Sequence, residues 1–174
     1  ANKRNQSRKT VFLDRDGVLI QSIEKGKYVK EINQIEIINK NVDFLKAISM
    51  KFDVDFIVVT NQAGVEMGLL NIEEVNQINR YLAVELLLLG VPIIAFYVCP
   101  HHWDTQCKCR KPKPGLINKA IYDFNLKPAD CLLIGDRDSD IEAGDSAGVK
   151  SFLLPESLLP EDRLNTLEQI ESFL

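Results

Sequence analysis

Short apolar runs rich in β-branched residues alternate along this chain with stretches whose apolar residues recur at helical spacing. The runs 10–13, 55–59, 93–98, 131–134 and 150–154 are apolar nearly throughout, the pattern of strands buried on both faces of a parallel sheet. Between them, 41–49 places Val42, Leu45 and Ile48 on one helical face. Asn71 with Glu74 three residues on has the form of a capping box, and Val75, Ile78 and Leu82 continue that helix. Helices are also expected over 114–124 and 139–147, and over a last segment carrying Leu164, Leu167 and Ile170. Alternating β and α units predict an α/β fold, a doubly wound and mainly parallel sheet with helices on both faces. Two stretches escape the pattern. Residues 99–114 form a long irregular segment, too long for an idle connection, and 20–38 reads as a hairpin-like excursion.

Composition narrows the classes. At 174 residues, 45% hydrophobic and 26% charged, the chain reads as one ordinary globular unit. A formal charge of −4 argues against a partner held by phosphate neutralisation along nucleic acid. No apolar run approaches the roughly 18 residues of a membrane span. The opening ANKRNQSRK is basic with no apolar stretch behind it, so it reads as a flexible tail over 1–9 rather than a secretory signal, preceding a single domain over 10–174. A cytoplasmic monomer acting on a small molecule is the expectation that results.

In a sheet of this kind function gathers beyond the carboxyl ends of the strands. The first predicted strand runs into Asp14-Arg15-Asp16-Gly17 and the second into Thr60-Asn61-Gln62. The segment after the third carries Arg110-Lys111, and the fourth ends in Gly135-Asp136 with Asp138 and Asp140 following. These groups suit phosphoryl transfer through an aspartyl-phosphate. Asp14 is placed as the nucleophile. Asp16, two residues on and so on the same side of an extended segment, would protonate the leaving alcohol and then activate water. Thr60, Asn61, Arg110 and Lys111 are candidates to hold the phosphate. A hard divalent cation, Mg²⁺ for preference, would bridge phosphate and carboxylate with Asp136 as a second ligand, and Asp140 would hold a metal-bound water or orient a neighbour.

Both histidines and three of the four cysteines lie between Cys99 and Cys109. Cys99, an imidazole, Cys107 and Cys109 make a soft set suited to a closed, structural zinc site that pins the long loop. Spacing alone leaves His101 and His102 as competing imidazoles. Cys131, inside a predicted strand, reads as a small core residue, and Trp103 either packs the loop down or lines a pocket.

The stretches VFLDRDGV, VVTNQAG, CRKPKPG and LLIGDRDSDIEAG together resemble the four motifs of the haloacid-dehalogenase-like phosphatase superfamily. CPHH with CKCRKPKPG is similar to its zinc-loop branch, which holds the D-glycero-D-manno-heptose-1,7-bisphosphate 7-phosphatases and the histidinol-phosphate phosphatase domain. The resemblance implies a Rossmann-like core without a large cap domain. It implies Asp14 as nucleophile, Asp16 as acid and base, and Thr60 and Lys111 on the phosphate. Mg²⁺ would sit on Asp14, the Asp16 carbonyl and Asp136, and zinc on Cys99, His101, Cys107 and Cys109. Residues 28–32 resemble the heptose branch, whose usual Ala-Arg is replaced here by Glu66-Met67, while Arg137 resembles the histidinol-phosphate version. A phosphorylated sugar of the heptose-bisphosphate type is therefore the expected substrate, histidinol phosphate the alternative. A phosphoacceptor receiver-like domain is the non-enzymatic rival.

Overall fold

A computed structural model describes residues 8–174. Its centre is a five-stranded, wholly parallel sheet in the order β3-β2-β1-β4-β5. The strands are β1 (Lys9–Leu13), β2 (Val54–Asn61), β3 (Ile93–Cys99), β4 (Cys131–Gly135) and β5 (Lys150–Leu153). The helices are α1 (Asn39–Lys51), α2 (Ile72–Leu88), α3 (Gly115–Asp123), α4 (Asp138–Ser146) and α5 (Pro160–Phe173). The order reverses between β1 and β4, so the crevice beyond these two strands is the topological switch point where such sheets take ligands.

The unbroken apolar runs are explained by covering helices on both faces. Along β1, Val11 and Leu13 point into one core cluster with Val42, Leu45, Ile78, Leu82 and Ile170 of α1, α2 and α5. Phe12 points the other way, into a second cluster with Ile117 and Ala120 of α3 and Ala143 of α4. An alternating amphipathic strand could not fill both. The expectation of burial on both faces fails at β3 and β5, whose residues are mostly partly exposed, because these are the two edges of the sheet. Cys131 lies in the second cluster, as its strand position suggests. Asn71 caps α2 through the expected box, its side chain accepting from the Glu74 N–H at 2.8 Å.

Of the expected 1–9 tail, residues 1–7 lie outside the described residues. Arg8 and Lys9 do not continue it: Arg8 forks onto Asp55 at 2.6 and 2.7 Å and Lys9 opens β1. Among the described residues no helix is long and apolar enough to cross a membrane. The excursion after β1 is hairpin-like only in a single antiparallel bridge, Ile20 to Ile37, with a 3₁₀ turn at Ile32–Gln34. It folds back over the strand ends, so residues 22–29 wall the crevice.

Candidate active site

Because all five strands are parallel, their carboxyl ends share one rim, and the polar groups that follow β1, β2, β3 and β4 converge there. Asp14 is tied to the neighbouring strand by its N–H, which donates to the Ile134 carbonyl at 3.2 Å. Its carboxylate oxygen Oδ1 accepts from the Arg15 N–H at 2.9 Å and from the Lys111 ammonium at 2.8 Å. The same ammonium lies 2.6 Å from Asp140 Oδ1 and donates to the Val59 carbonyl at 2.9 Å. Lys111 is thus a buried cation fixed at three points. Its backbone is fixed as well, because the Asn61 side-chain amide both donates to the Lys111 carbonyl and accepts from its N–H, each at 3.1 Å. Asn61 lines the crevice, but both ends of its amide are engaged by the loop that carries Lys111 rather than left for a phosphate.

Asp140 has two tasks. One oxygen meets Lys111; the other accepts the N–H groups of Asp136 and Arg137 at 3.1 and 3.2 Å, which shapes the turn into α4. The side chain therefore orients its neighbours, one of the two roles expected for it. Gly135 and Gly17 exist to let these carboxylates in: a Cβ at Gly135 would collide with the Asp140 side chain, and one at Gly17 with the Asp136 carboxylate. Gly17 also has φ +92°, which L side chains rarely adopt. Gly17→Ala is thus expected to displace Asp136 and lower turnover by at least about tenfold. An alanine variant with wild-type kinetics at limiting Mg²⁺ would show that Asp136 needs no such opening.

Three carboxylates here face one amine. Burial holds the Asp14 carboxyl well above the usual range, Asp140 and Asp136 add to that, and Lys111 only partly opposes it. Asp136 is likewise raised, first by burial. For Lys111 burial works against the charge, yet Asp14 and Asp140 outweigh it and its pKa rises. Ligand oxygens of Asp14, Asp136 and Asp140 lie within 4.8 Å of one another, and Asp136 Oδ1 is buried without a hydrogen-bond partner. Unmet negative charge on clustered hard oxygens is the donor set a divalent cation such as Mg²⁺ fits.

Asp16 stands on the crevice wall with its side chain 28% exposed. Its Oδ1 accepts from Arg15 Nε at 3.3 Å, and its Oδ2 from Arg15 Nη2 at 3.2 Å and Gln62 Nε2 at 2.7 Å. Thr60 is buried, and its hydroxyl accepts from the same Gln62 amide at 2.9 Å.

Sγ of Cys99, Cys107 and Cys109 and Nδ1 of His101 converge beside this rim. Four of their separations run from 3.2 to 3.9 Å, around the edge of a tetrahedron with ligand bonds near ~2.3 Å. All the cysteines are free thiols. Burial pushes Cys99 up. At Cys107 burial pushes the same way, but the N–H groups of Arg110 and Cys109 and the neighbouring thiols outweigh it and bring it down to about 6, toward the thiolate a metal binds. The structure separates the two histidines. His101 follows the two-residue alternation from Cys99, whereas His102 turns away: its N–H donates to the Glu66 carboxylate and its Nδ1 accepts from the Asp104 N–H at 3.1 Å.

Sequence reasoning missed what holds this loop in register. Glu66, in the turn after β2, takes the His102 N–H and the Thr105 hydroxyl, the latter at 2.7 Å, and the first of these bonds holds its carboxyl below the usual range. Only its departure from the family pattern marked the position. Trp103 is 59% exposed, with its ring tilted against that of the adjacent His102 at a centroid distance of 3.7 Å, and of the two roles expected for it the structure favours lining the crevice. Arg110 also lines the crevice, with Nη1 3.5 Å from the His101 carbonyl. The crevice measures about 750 Å³, with Lys25, Lys27 and Arg137 among its lining residues.

Comparisons with known proteins agree with this geometry. A HAD-hydrolase-like family model matches residues 108–169. A Thermoplasma acidophilum protein named as probable D-glycero-D-manno-heptose-1,7-bisphosphate 7-phosphatase is 42% identical over 134 residues, 77% of this chain and 81% of that one. The D-glycero-beta-D-manno-heptose-1,7-bisphosphate 7-phosphatase of Pasteurella multocida is 34% identical over 153 residues, 84% of this chain and 81% of its own. Among solved structures, the D,D-heptose 1,7-bisphosphate phosphatase of B. bronchiseptica, complexed with magnesium and phosphate, superposes with a TM-score of 0.78 at 27% identity, covering 92% of this chain and 86% of that one.

Proposed function

The chain belongs to the haloacid-dehalogenase-like phosphatases, and from that premise we propose that it hydrolyses a phosphate monoester of a phosphorylated sugar, of the heptose-1,7-bisphosphate type, with Asp14 as nucleophile. One observation carries the reading: Lys111, brought 97 residues along the chain to Asp14, holds that carboxylate by a single oxygen at the switch point of the sheet.

The Arg15 N–H and the Lys111 ammonium both meet Asp14 at Oδ1, and Oδ2 is the oxygen that would attack phosphorus. As the Asp14–phosphorus bond forms, the ester oxygen leaves and takes a proton from Asp16, which faces the same crevice. Water then attacks the aspartyl-phosphate, gives its proton to Asp16, and frees phosphate and Asp14. Lys111, the Thr60 hydroxyl and Arg110 would meet the phosphoryl oxygens. Asp14, Asp136 and the Asp16 carbonyl would hold Mg²⁺, which when bound neutralises charge between phosphate and carboxylates. A receiver-like role is disfavoured because Asp14 closes the central first strand and has Asp16 at hand for turnover.

The decisive test is a phosphate-release screen with Mg²⁺ over sugar bisphosphates, histidinol phosphate and nucleotides. Preference for a sugar bisphosphate supports the reading; preference for histidinol phosphate, or release from none, overturns it. The same reading has zinc on Cys99, His101, Cys107 and Cys109 and a cytoplasmic monomer, a reducing compartment being one where this thiol cluster persists. Elemental analysis of freshly purified, reduced protein is expected to find about one zinc per chain. Replacing His101 by alanine should lose that metal while His102→Ala keeps it. The opposite result would reassign the ligand.

A further inference from the structure

Arginine is seldom found wholly inside a protein, since the charge is hard to remove from water without a matched partner. Arg15 is nonetheless 0% exposed. Its neighbours on either side, Asp14 and Asp16, are the two carboxylates of the proposed reaction, yet its guanidinium turns inward and meets only one of them. Nε and Nη2 form a two-pronged contact with the two oxygens of Asp16, and Nη1 donates to Asn79 Oδ1 at 3.0 Å, on the buried face of α2. Gln62 completes the grip from the other side, donating to Asp16 Oδ2 and to the Thr60 hydroxyl. Gln62 is itself immobilised, being fully buried with its N–H on the Cys99 carbonyl at 2.7 Å.

We infer that Arg15, braced by Asn79 and seconded by Gln62, is a positioning residue that aims Asp16 at the leaving-group oxygen. This inference rests on the phosphatase reading above and adds to it how the acid and base is held. The reason is geometric. A planar fork touching both oxygens of a carboxylate fixes the plane of that carboxylate as well as its position, which a single-point contact cannot do. Asp16 is part-exposed and would otherwise rotate freely about its last bond. The grip is also asymmetric. Oδ2 receives two donors and Oδ1 only one, so Oδ1 keeps an open lone pair, the seat for the proton that passes to the ester oxygen as the P–O bond breaks and returns from water in the second step. Because Gln62 bridges Asp16 and Thr60, the acid is held in fixed relation to a hydroxyl proposed to meet the phosphate. A merely structural arginine would need none of this asymmetry.

Leaving-group dependence separates the two roles, since p-nitrophenolate departs without a proton and a sugar alkoxide does not. In Arg15→Met, the single-turnover rate of alcohol release from a sugar phosphate is expected to fall about 10²-fold. The burst of p-nitrophenol from p-nitrophenyl phosphate should stay within about threefold of wild type, and inhibition by inorganic phosphate should be unchanged. Asp16→Asn should show the same selective pattern. Should Arg15→Met fail to fold, Asn79→Ala, which only loosens the brace, is expected to bias the two substrates in the same direction by a smaller factor. Parallel losses on both substrates, or no loss on either, would overturn the inference. A wild-type enzyme releasing phosphate from neither substrate would be seen before any variant is made, and would bring down the phosphatase reading with this inference.

Discussion

Asp14→Asn is expected to release no phosphate above background, a loss on the order of 10⁴-fold or more, while melting in metal-free buffer at or above the temperature of the wild type. The first half follows from chemistry: an amide has no anionic oxygen for phosphorus. The second follows from the site's electrostatics. Burial and two neighbouring carboxylates raise the Asp14 pKa in the fold. A raised carboxyl favours the folded state only while it is protonated, so that contribution is present below the ordinary carboxylate range and is lost as pH climbs through the raised value. Above the ordinary carboxylate range Asp14 therefore works against the metal-free fold, and a neutral isostere relieves it. Lys111 keeps Asp140 and the Val59 carbonyl, so the substitution does not strand a cation. Mg²⁺ should raise the wild-type melting temperature more than that of the variant. Undiminished turnover would remove Asp14 from the mechanism. A variant several degrees less stable would show that the Lys111 contact outweighs carboxylate crowding.

Much of this arrangement is legible without coordinates, for a physical reason. In a doubly wound sheet the core consumes the apolar runs, so whatever polar residue directly follows a run must sit at the rim; Asp14, Thr60 and Asp136 are found this way. The cysteine spacing is legible because a tetrahedral site allows few partners. Contacts made across the fold are not legible. Nothing in the sequence says that Arg15 turns into the core, because its anchor Asn79 is 64 residues away on a helix whose pattern shows only its apolar face. Glu66 is an exposed turn residue, and nothing in the sequence says that its carboxylate takes the His102 N–H and the Thr105 hydroxyl. Asn61 reads as a phosphate candidate because it follows a strand, and only the structure shows its amide engaged by Lys111. The edge strands β3 and β5 mislead in the other direction: their composition is that of core strands, and their position in the sheet exposes them.

Lys111 joins the chemistry to the stability of the fold, and its removal should damage both. Lys111→Met keeps an unbranched side chain, one atom shorter, and deletes the charge between Asp14 and Asp140. The two carboxylates, together with Asp136, then face one another in a buried space with no fixed cation. Breaking a buried ion pair from one side is expected to cost about 3–5 kcal/mol. For a chain of this size that amounts to a fall in melting temperature of roughly 6–20 °C. Turnover should fall by at least about 10²-fold even at saturating Mg²⁺, because a cation held by the carboxylates does not occupy the place of an amine fixed at three points. Stability and activity can be separated with a second substitution. Asp140→Asn in the Lys111→Met background removes one of the stranded charges, so the double variant should recover part of the lost melting temperature, with a coupling energy of about 1–3 kcal/mol, and none of the lost turnover. Two substitutions that simply add in stability would mean that Lys111 and Asp140 do not form the pair seen here. Recovered turnover in the double variant would mean that Lys111 serves only to balance Asp140, and that the phosphate is held by other groups.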